Sequence, residues 1–153
     1  MDASRVAVMG RSYGGYMTLA SMVAFPTRLR CAVDTCGMSS FLSFMESMPE
    51  WRRDMRRPEY GDERIPAVRE FLHNASPLTH CDRMTTPVLI IQGARDTRVP
   101  LGEALQVFEA VERNGGEPWL FVADHEGHIF KRKEVMHAMS EVVLTFLRAQ
   151  LLG

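Results

Sequence analysis

The stretch Val6-Ala7-Val8-Met9-Gly10-Arg11-Ser12-Tyr13-Gly14-Gly15-Tyr16 passes from a short apolar run into a GxSxG turn and then into a helical pattern. A chain that leaves a buried strand, reverses sharply and enters a helix holds the residue at the tip in strained backbone angles with its side chain presented outward. Ser12 occupies that tip. Gly10 and Gly14 are expected to be small because strand and helix pass close together there. The helix start adds unpaired amides and the positive end of a dipole. The Tyr13 amide is therefore expected to face negative charge developing beside Ser12, as one half of an oxyanion hole. The rival reading, a phosphate-binding helix entrance, lacks both the GxGxxG spacing and a lysine in the turn.

Working outward, Val6 to Met9 reads as a first strand, covered on both faces, and Ser12 to Phe25 as a helix that Pro26 ends. Arg30 to Thr35 reads as a second strand. From residue 37 to about 75 the pattern weakens into short helical pieces, Phe41 to Ser47 and Pro66 to Leu72, separated by Pro49, Pro58 and Gly61. This segment reads as a cap-like excursion, closed by the turn Asn74-Ala75-Ser76-Pro77. Pro87 to Gly93 is a continuous aliphatic strand. The helix Gly102 to Asn114 aligns Ala104, Leu105, Phe108 and Val111 on one stripe and stops at Gly115-Gly116. A strand Trp119 to Ala123 and a last helix, about Lys131 to Leu151, complete an alternating β/α order. Such an order predicts an α/β fold, a parallel sheet with right-handed crossovers, in one domain over 1–153.

Composition excludes several classes. Eighteen basic and nineteen acidic residues give a formal net charge of -1, so no overall field draws the chain to nucleic acid or an anionic membrane. The basic cluster Arg52, Arg53, Arg56 and Arg57 is interleaved with Glu50, Asp54 and Glu59 and reads as a solvated or ion-paired face. No unbroken apolar run approaches the roughly 20 residues of a membrane span, and no apolar signal core opens the chain. A soluble, cytoplasmic protein is expected. Cys31, Cys36 and Cys81 lack CxxC spacing and are expected to be reduced, buried fillers.

Ligands of open parallel sheets bind beyond the carboxyl ends of the strands, where Ser12, Asp96 and His128 all fall. Serine is a weak nucleophile near neutral pH and needs a base within hydrogen-bond reach; imidazole titrates in the useful range. His128 would take the serine proton and return it to a leaving group, and Asp96 would fix the ring's tautomer. Spacing alone does not choose His128 over His125. Asp34 is the rival acid, and Asp124, His125, Glu126 and His128 form an alternative metal cluster. His73, His80 and His137 read as surface or satisfied polar residues, and Asp82 as a cap or turn residue.

GRSYGGYMTLA, TPVLIIQGARDTRVP and DHEGHIF followed by a long terminal helix, with RRPEYGDER and SPLTHCDRMTTP between them, resemble the carboxyl-terminal part of the prolyl oligopeptidase family of serine peptidases, in an acylaminoacyl-peptidase-like form. The resemblance spans essentially the whole chain. It implies a partial α/β-hydrolase fold of about four parallel strands with flanking helices, and assigns Ser12 as nucleophile, Asp96 as acid and His128 as base. No metal or cofactor is implied. Ile129 stands where the family commonly has glycine, and is expected to stiffen the loop or narrow the entrance.

The resemblance further implies features that this stretch does not carry. These are an amino-terminal β-propeller, about four more strands, and the upstream loop that gives the second oxyanion donor, whose loss would lower turnover on the order of a hundredfold or more. The expected activity is peptide or ester cleavage through an acyl-enzyme, with activated or short-chain esters favoured and Tyr13, Tyr16 and Phe41 lining the substrate site. A weakly active or inactive fragment that works by association is the alternative. With Val6 to Met9 an exposed edge, a homodimer or higher homo-oligomer, or pairing with a separate amino-terminal half, is expected.

Overall fold

The computed structural model describes residues 2–153. Strands β1 (Ala7–Arg11), β2 (Cys31–Thr35), β3 (Val88–Gly93) and β4 (Pro118–Ala123) form one fully parallel sheet in the order β1-β2-β3-β4. The helices are α1 (Tyr13–Ala24), α2 (Phe41–Glu46), α3 (Glu50–Tyr60), α4 (Pro66–Ala75), α5 (Leu101–Arg113) and α6 (Lys133–Leu152), with a 3-10 stretch at Pro77–Arg83.

A strand order that always advances the same way, joined by right-handed connections, puts the crossover helices that pack on the sheet on one face. The packing agrees. Ala32, Val88 and Ile90 point toward Leu19 and Met22 of α1 and toward Ala104, Val107 and Val111 of α5. Their strand neighbours Cys31, Val33, Leu89 and Ile91 point the opposite way, toward Phe146 of α6, as the two-residue period of a strand requires. Phe146 is fully buried, which contributes about 2–3 kcal/mol.

Several expected details are corrected. β1 is shifted to Ala7–Arg11 and is half-covered rather than buried on both faces, because it lies at the sheet edge. Met9 is 62% exposed. It shares a face with Ala7, which packs against the Phe146 cluster, so the cover that α6 gives this face runs out at β1. On α5 the buried stripe is Ala104, Val107, Ala110 and Val111, whereas Leu105 faces solvent.

In the cap, α3 fills the stretch between Pro49 and Gly61 for which the sequence pattern gives no helix. Pro49 stands at its start, and Pro58 lies in its last turn, where its missing N–H leaves the Asp54 carbonyl without an intrahelical donor. Arg57, expected on a solvated or ion-paired face, is ion-paired but buried, bidentate to Glu63. Helix α6 is, by length and composition alone, long and apolar enough to cross a membrane, with a mean hydropathy of 1.2. Counting unbroken apolar runs missed this because Glu141 and Arg148 interrupt it. One side of α6, with Met139, Val142, Val143 and Leu147, lies on the sheet.

The cap has its own core of Met38, Phe41, Phe44, Met45, Met48 and Leu72, which also takes in Val99 from the loop after β3. Buried Glu103, in the first turn of α5, accepts bonds from the Ser39 amide (2.9 Å), the Ser39 hydroxyl (2.7 Å), the Ser40 amide (3.0 Å) and the Ser43 hydroxyl. The cap is thereby pinned to the helix that follows the Asp96 loop.

Candidate active site

The register aligns Arg11 with Thr35 and Thr35 with Ile91, and β3 and β4 run on together to Gly93 and Ala123. The chain therefore leaves β1, β3 and β4 at the same end of the sheet, and the three predicted side chains meet there. Ser12 lies at φ 56, ψ -117 immediately before α1, a region costly for a residue with a side chain. Its amide donates to the Thr35 carbonyl at 2.9 Å, which ties the tip to β2.

Glycine at position 10 is required by close approach. A Cβ there would run into the Gly14 carbonyl and lie 2.9 Å from Thr18 Oγ1. The expectation for Gly14 is corrected: a Cβ there would meet nothing within 4 Å, and the crowded helix glycine is Gly15, which abuts Asp34 and Gly37.

His128 Nε2 lies 2.9 Å from Ser12 Oγ, and its Nδ1 lies 2.7 Å from Asp96 Oδ2. A carboxylate can only accept, so Nδ1 carries the ring proton and Nε2 is left to accept from the serine hydroxyl. The other carboxylate oxygen of Asp96 accepts from the amides of Arg98 (2.8 Å) and Val99 (3.0 Å). Burial works against ionising Asp96, but the hydrogen bonds from His128, Val99 and Arg98 outweigh it and hold the carboxyl below its usual range. Buried Gln92 also supports this loop, donating to the Val99 carbonyl at 2.9 Å and to Asp96 at 3.3 Å.

The hydrogen bonds to Ser12 and Asp96 are made by His128, whereas His125 is exposed. Asp34, the rival acid, is buried in β2 with Oδ1 unpartnered. Burial raises its pKa to about 7, with partial relief from the Gly37 amide.

The histidine loop is held by bonds that no sequence spacing specifies. The carboxylate of Glu126 accepts from the Lys131 amide (2.9 Å), the Arg132 amide (3.1 Å) and Arg132 Nε (3.2 Å). It is thus turned into the loop, away from the metal cluster considered above. Gly127 does not use a left-handed conformation; its carbonyl passes close over Gly93, where a Cβ would collide with it. Arg11, beside Ser12, donates from Nη2 to the His128 carbonyl. A GxSxG pattern leaves that position unspecified, so no spacing rule points to it.

Around the site, the Tyr16 ring lies 5.4 Å from that of Tyr13 and 4.8 Å from that of Phe41, and its hydroxyl donates to the Ala75 carbonyl at 3.1 Å. Phe41 is buried in the cap core, which leaves Tyr13 and Tyr16 with surface to offer. Beside His128 a cavity of about 380 Å³ is rimmed by Arg95, Arg98, Lys131 and the exposed Ile129.

Comparison with known proteins gives the following. The family model for the prolyl oligopeptidase family matches residues 1–153. The dipeptidyl aminopeptidase BIII of Pseudoxanthomonas mexicana is 36% identical over 152 residues, covering 97% of this chain and 22% of the relative. Dipeptidyl peptidase family member 6 of Caenorhabditis elegans is 35% identical over 156 residues, covering 99% and 21%. The structure of a puromycin-hydrolyzing peptidase of Mycobacterium tuberculosis superposes with a TM-score of 0.88 at 27% identity, covering 98% of this chain and 22% of that one. The chain thus spans about a fifth of the length of the curated relatives it matches.

Proposed function

The chain belongs to the prolyl oligopeptidase family of serine peptidases, with an α/β-hydrolase fold, and on that premise we propose that it cleaves acyl bonds through a Ser12–His128–Asp96 triad. The observation that carries the proposal is the unbroken hydrogen-bond chain from Ser12 Oγ through both nitrogens of His128 to Asp96.

In the proposed reaction Ser12 Oγ attacks the substrate carbonyl carbon while His128 Nε2 takes its proton. Asp96, already ionised, stabilises the imidazolium that results. Negative charge on the tetrahedral oxygen is met by the Tyr13 amide, one of the first-turn amides of α1 that have no intrahelical acceptor. Collapse expels the leaving group with the proton from His128. Water, activated by the same ring, then releases the acyl group from Ser12.

Small peptides and esters are the proposed substrates, with Tyr13 and Tyr16 against the acyl group. Activated esters should react faster than amides because their leaving group needs less protonation. A fluorophosphonate probe tests the reading directly. Labelling of the wild-type chain that vanishes in Ser12→Ala supports it, and a folded chain that takes no label refutes it.

We also propose that copies associate along β1. The support is an unpaired strand edge at which Met9 is 62% exposed, next to Tyr13 at 54% and Met17 at 48%. Light scattering that gives a dimer mass for wild type and a monomer mass for Met9→Lys would support this; a wild-type monomer would end it.

A further inference from the structure

Cys36 belongs to neither the proposed chemistry nor the cap core, yet it stands at the centre of the site. It directly follows β2, is 1% exposed, and adopts φ 51, which is uncommon for a residue with a side chain. Its amide donates to the Ile91 carbonyl at 2.8 Å, which fixes it against β3. One ligand atom from each of Cys36, Asp96 and His128 lies within 4.8 Å of the other two.

Sulfur, imidazole nitrogen and carboxylate oxygen are the donors that zinc prefers. Bonds of roughly 2.0 to 2.3 Å to a shared ion need donors less than about 4.6 Å apart, so small side-chain movements close the site. From this geometry we propose that Cys36, Asp96 and His128 form an inhibitory site for a thiophilic divalent cation such as zinc.

The mechanism of inhibition follows from the ring. An ion on Nδ1 displaces the proton now shared with Asp96 and leaves the neutral imidazole protonated on Nε2. That nitrogen then cannot take the proton of Ser12. The thiol gives its proton to solvent as it binds, so each ion releases one proton in all. Burial, partly offset by the Gly93 amide, pushes the Cys36 pKa up to about 12. Arg95, Arg98 and Lys131 rim the adjacent cavity. Both effects oppose the ion, so affinity in the micromolar range is expected, weaker than that of a structural zinc site. The inhibitory consequence rests on the serine-hydrolase reading; the binding itself does not.

The test has two arms. In the first, Ser12→Ala protein is titrated with cobalt(II). A thiolate-to-cobalt absorption band is expected, and it should be missing from the Ser12→Ala, Cys36→Ser double variant. In the second, zinc should slow fluorophosphonate labelling of wild type about tenfold at ten times its dissociation constant. A chelator should reverse this, and the labelling rate of Cys36→Ser, compared with its own rate without zinc, should fall by less than about twofold at the same zinc concentration. Absence of the cobalt band, or equal zinc sensitivity in Cys36→Ser, overturns the proposal. Should Cys36→Ser not fold, Cys36→Ala makes the same comparison. A cobalt band in a chain that never labels would uphold the metal site and refute the hydrolase reading instead.

Discussion

Asp34 gives the sharpest quantitative test of how the serine turn is supported. Its carboxyl lies beneath the turn, against Gly15 and Gly37, with Oδ1 buried and unpartnered. Burial raises its pKa from 3.8 to about 7. Below the unfolded value both states hold the proton, and the neutral acid costs nothing in ionisation. Between about pH 4 and pH 7 the unfolded chain releases the proton and the folded chain keeps it. Stability is therefore lost at about 1.4 kcal/mol per pH unit, roughly 4 kcal/mol across the window, and no further above it. Asp34→Asn is close in shape and cannot ionise. Urea denaturation of both proteins from about pH 5 to pH 9 should show the variant gaining on wild type by roughly 2 kcal/mol between the lowest pH and pH 7, with the gap levelling off about one pH unit higher. Titrations elsewhere cancel in the difference. A gap that stays flat across the series would refute the account of Asp34 as a buried acid kept neutral by its surroundings.

Three further outcomes follow from the site. Asp96→Asn should keep the fold but lower the rate of fluorophosphonate labelling by about a thousandfold or more, because the amide no longer fixes the His128 tautomer. Gly10→Ala and Gly14→Ala should part company in thermal melts. The first forces a methyl group into the Gly14 carbonyl and should cost about 3 kcal/mol or more, whereas the second enters open space in a helix and should be neutral or stabilising by up to about 1 kcal/mol. Arg11→Met should slow labelling about tenfold by freeing the His128 carbonyl, with a stability change within about 1 kcal/mol by denaturant titration; an unchanged labelling rate would show that the His128 loop holds its place without Arg11.

Much of this architecture was legible in the sequence because it depends on local patterns. The apolar run at Val88–Ile91, the glycines that stop α5, and the serine turn after an apolar run each fix a strand, a helix end or a chain reversal from a few neighbouring residues. The three side chains that meet could be nominated because a parallel sheet sends every strand's carboxyl end the same way, so residues 12, 96 and 128 had to emerge together. What could not be read is what depends on pairs far apart. Arg11 reaches a carbonyl 117 positions away, and Glu103 accepts from Ser39, 64 positions away. No period or spacing encodes either. The same limit explains the glycine error: whether Gly14 or Gly15 is crowded depends on the path of Gly37 in another segment.

These long-range ties fall in one place, and that bears on how the site is kept in register. Ser12 is tied to β2 through its amide, Asp96 to its own loop through the Arg98 and Val99 amides and Gln92, and His128 to its loop through Glu126. Asp96 and His128 are thus each held within their own loops and Ser12 by the neighbouring strand, all by groups outside the Ser12–His128–Asp96 hydrogen-bond chain. Between the loops the ties are fewer: the two bonds of the His128 ring, the Arg11 contact, and the bond of 2.9 Å from the Arg95 amide to the Glu126 carbonyl. The two kinds of tie predict different failures. Glu126→Gln keeps the shape but gives up the charge-assisted bonds to the Lys131 and Arg132 amides. Those bonds hold the Glu126 pKa below its usual value against the opposing effect of burial, so their contribution is present at neutral pH and lost as pH falls through the lowered folded value. Removing them should loosen the whole DHEGH turn, with faster hydrogen exchange from Asp124 to Arg132 and slower labelling together. Removing the Arg11 contact should slow labelling while exchange within the turn stays as it was. If both variants changed both measurements alike, fixation within the loop and coupling between loops would not be separate layers, and the turn would have to be treated as a single cooperative unit.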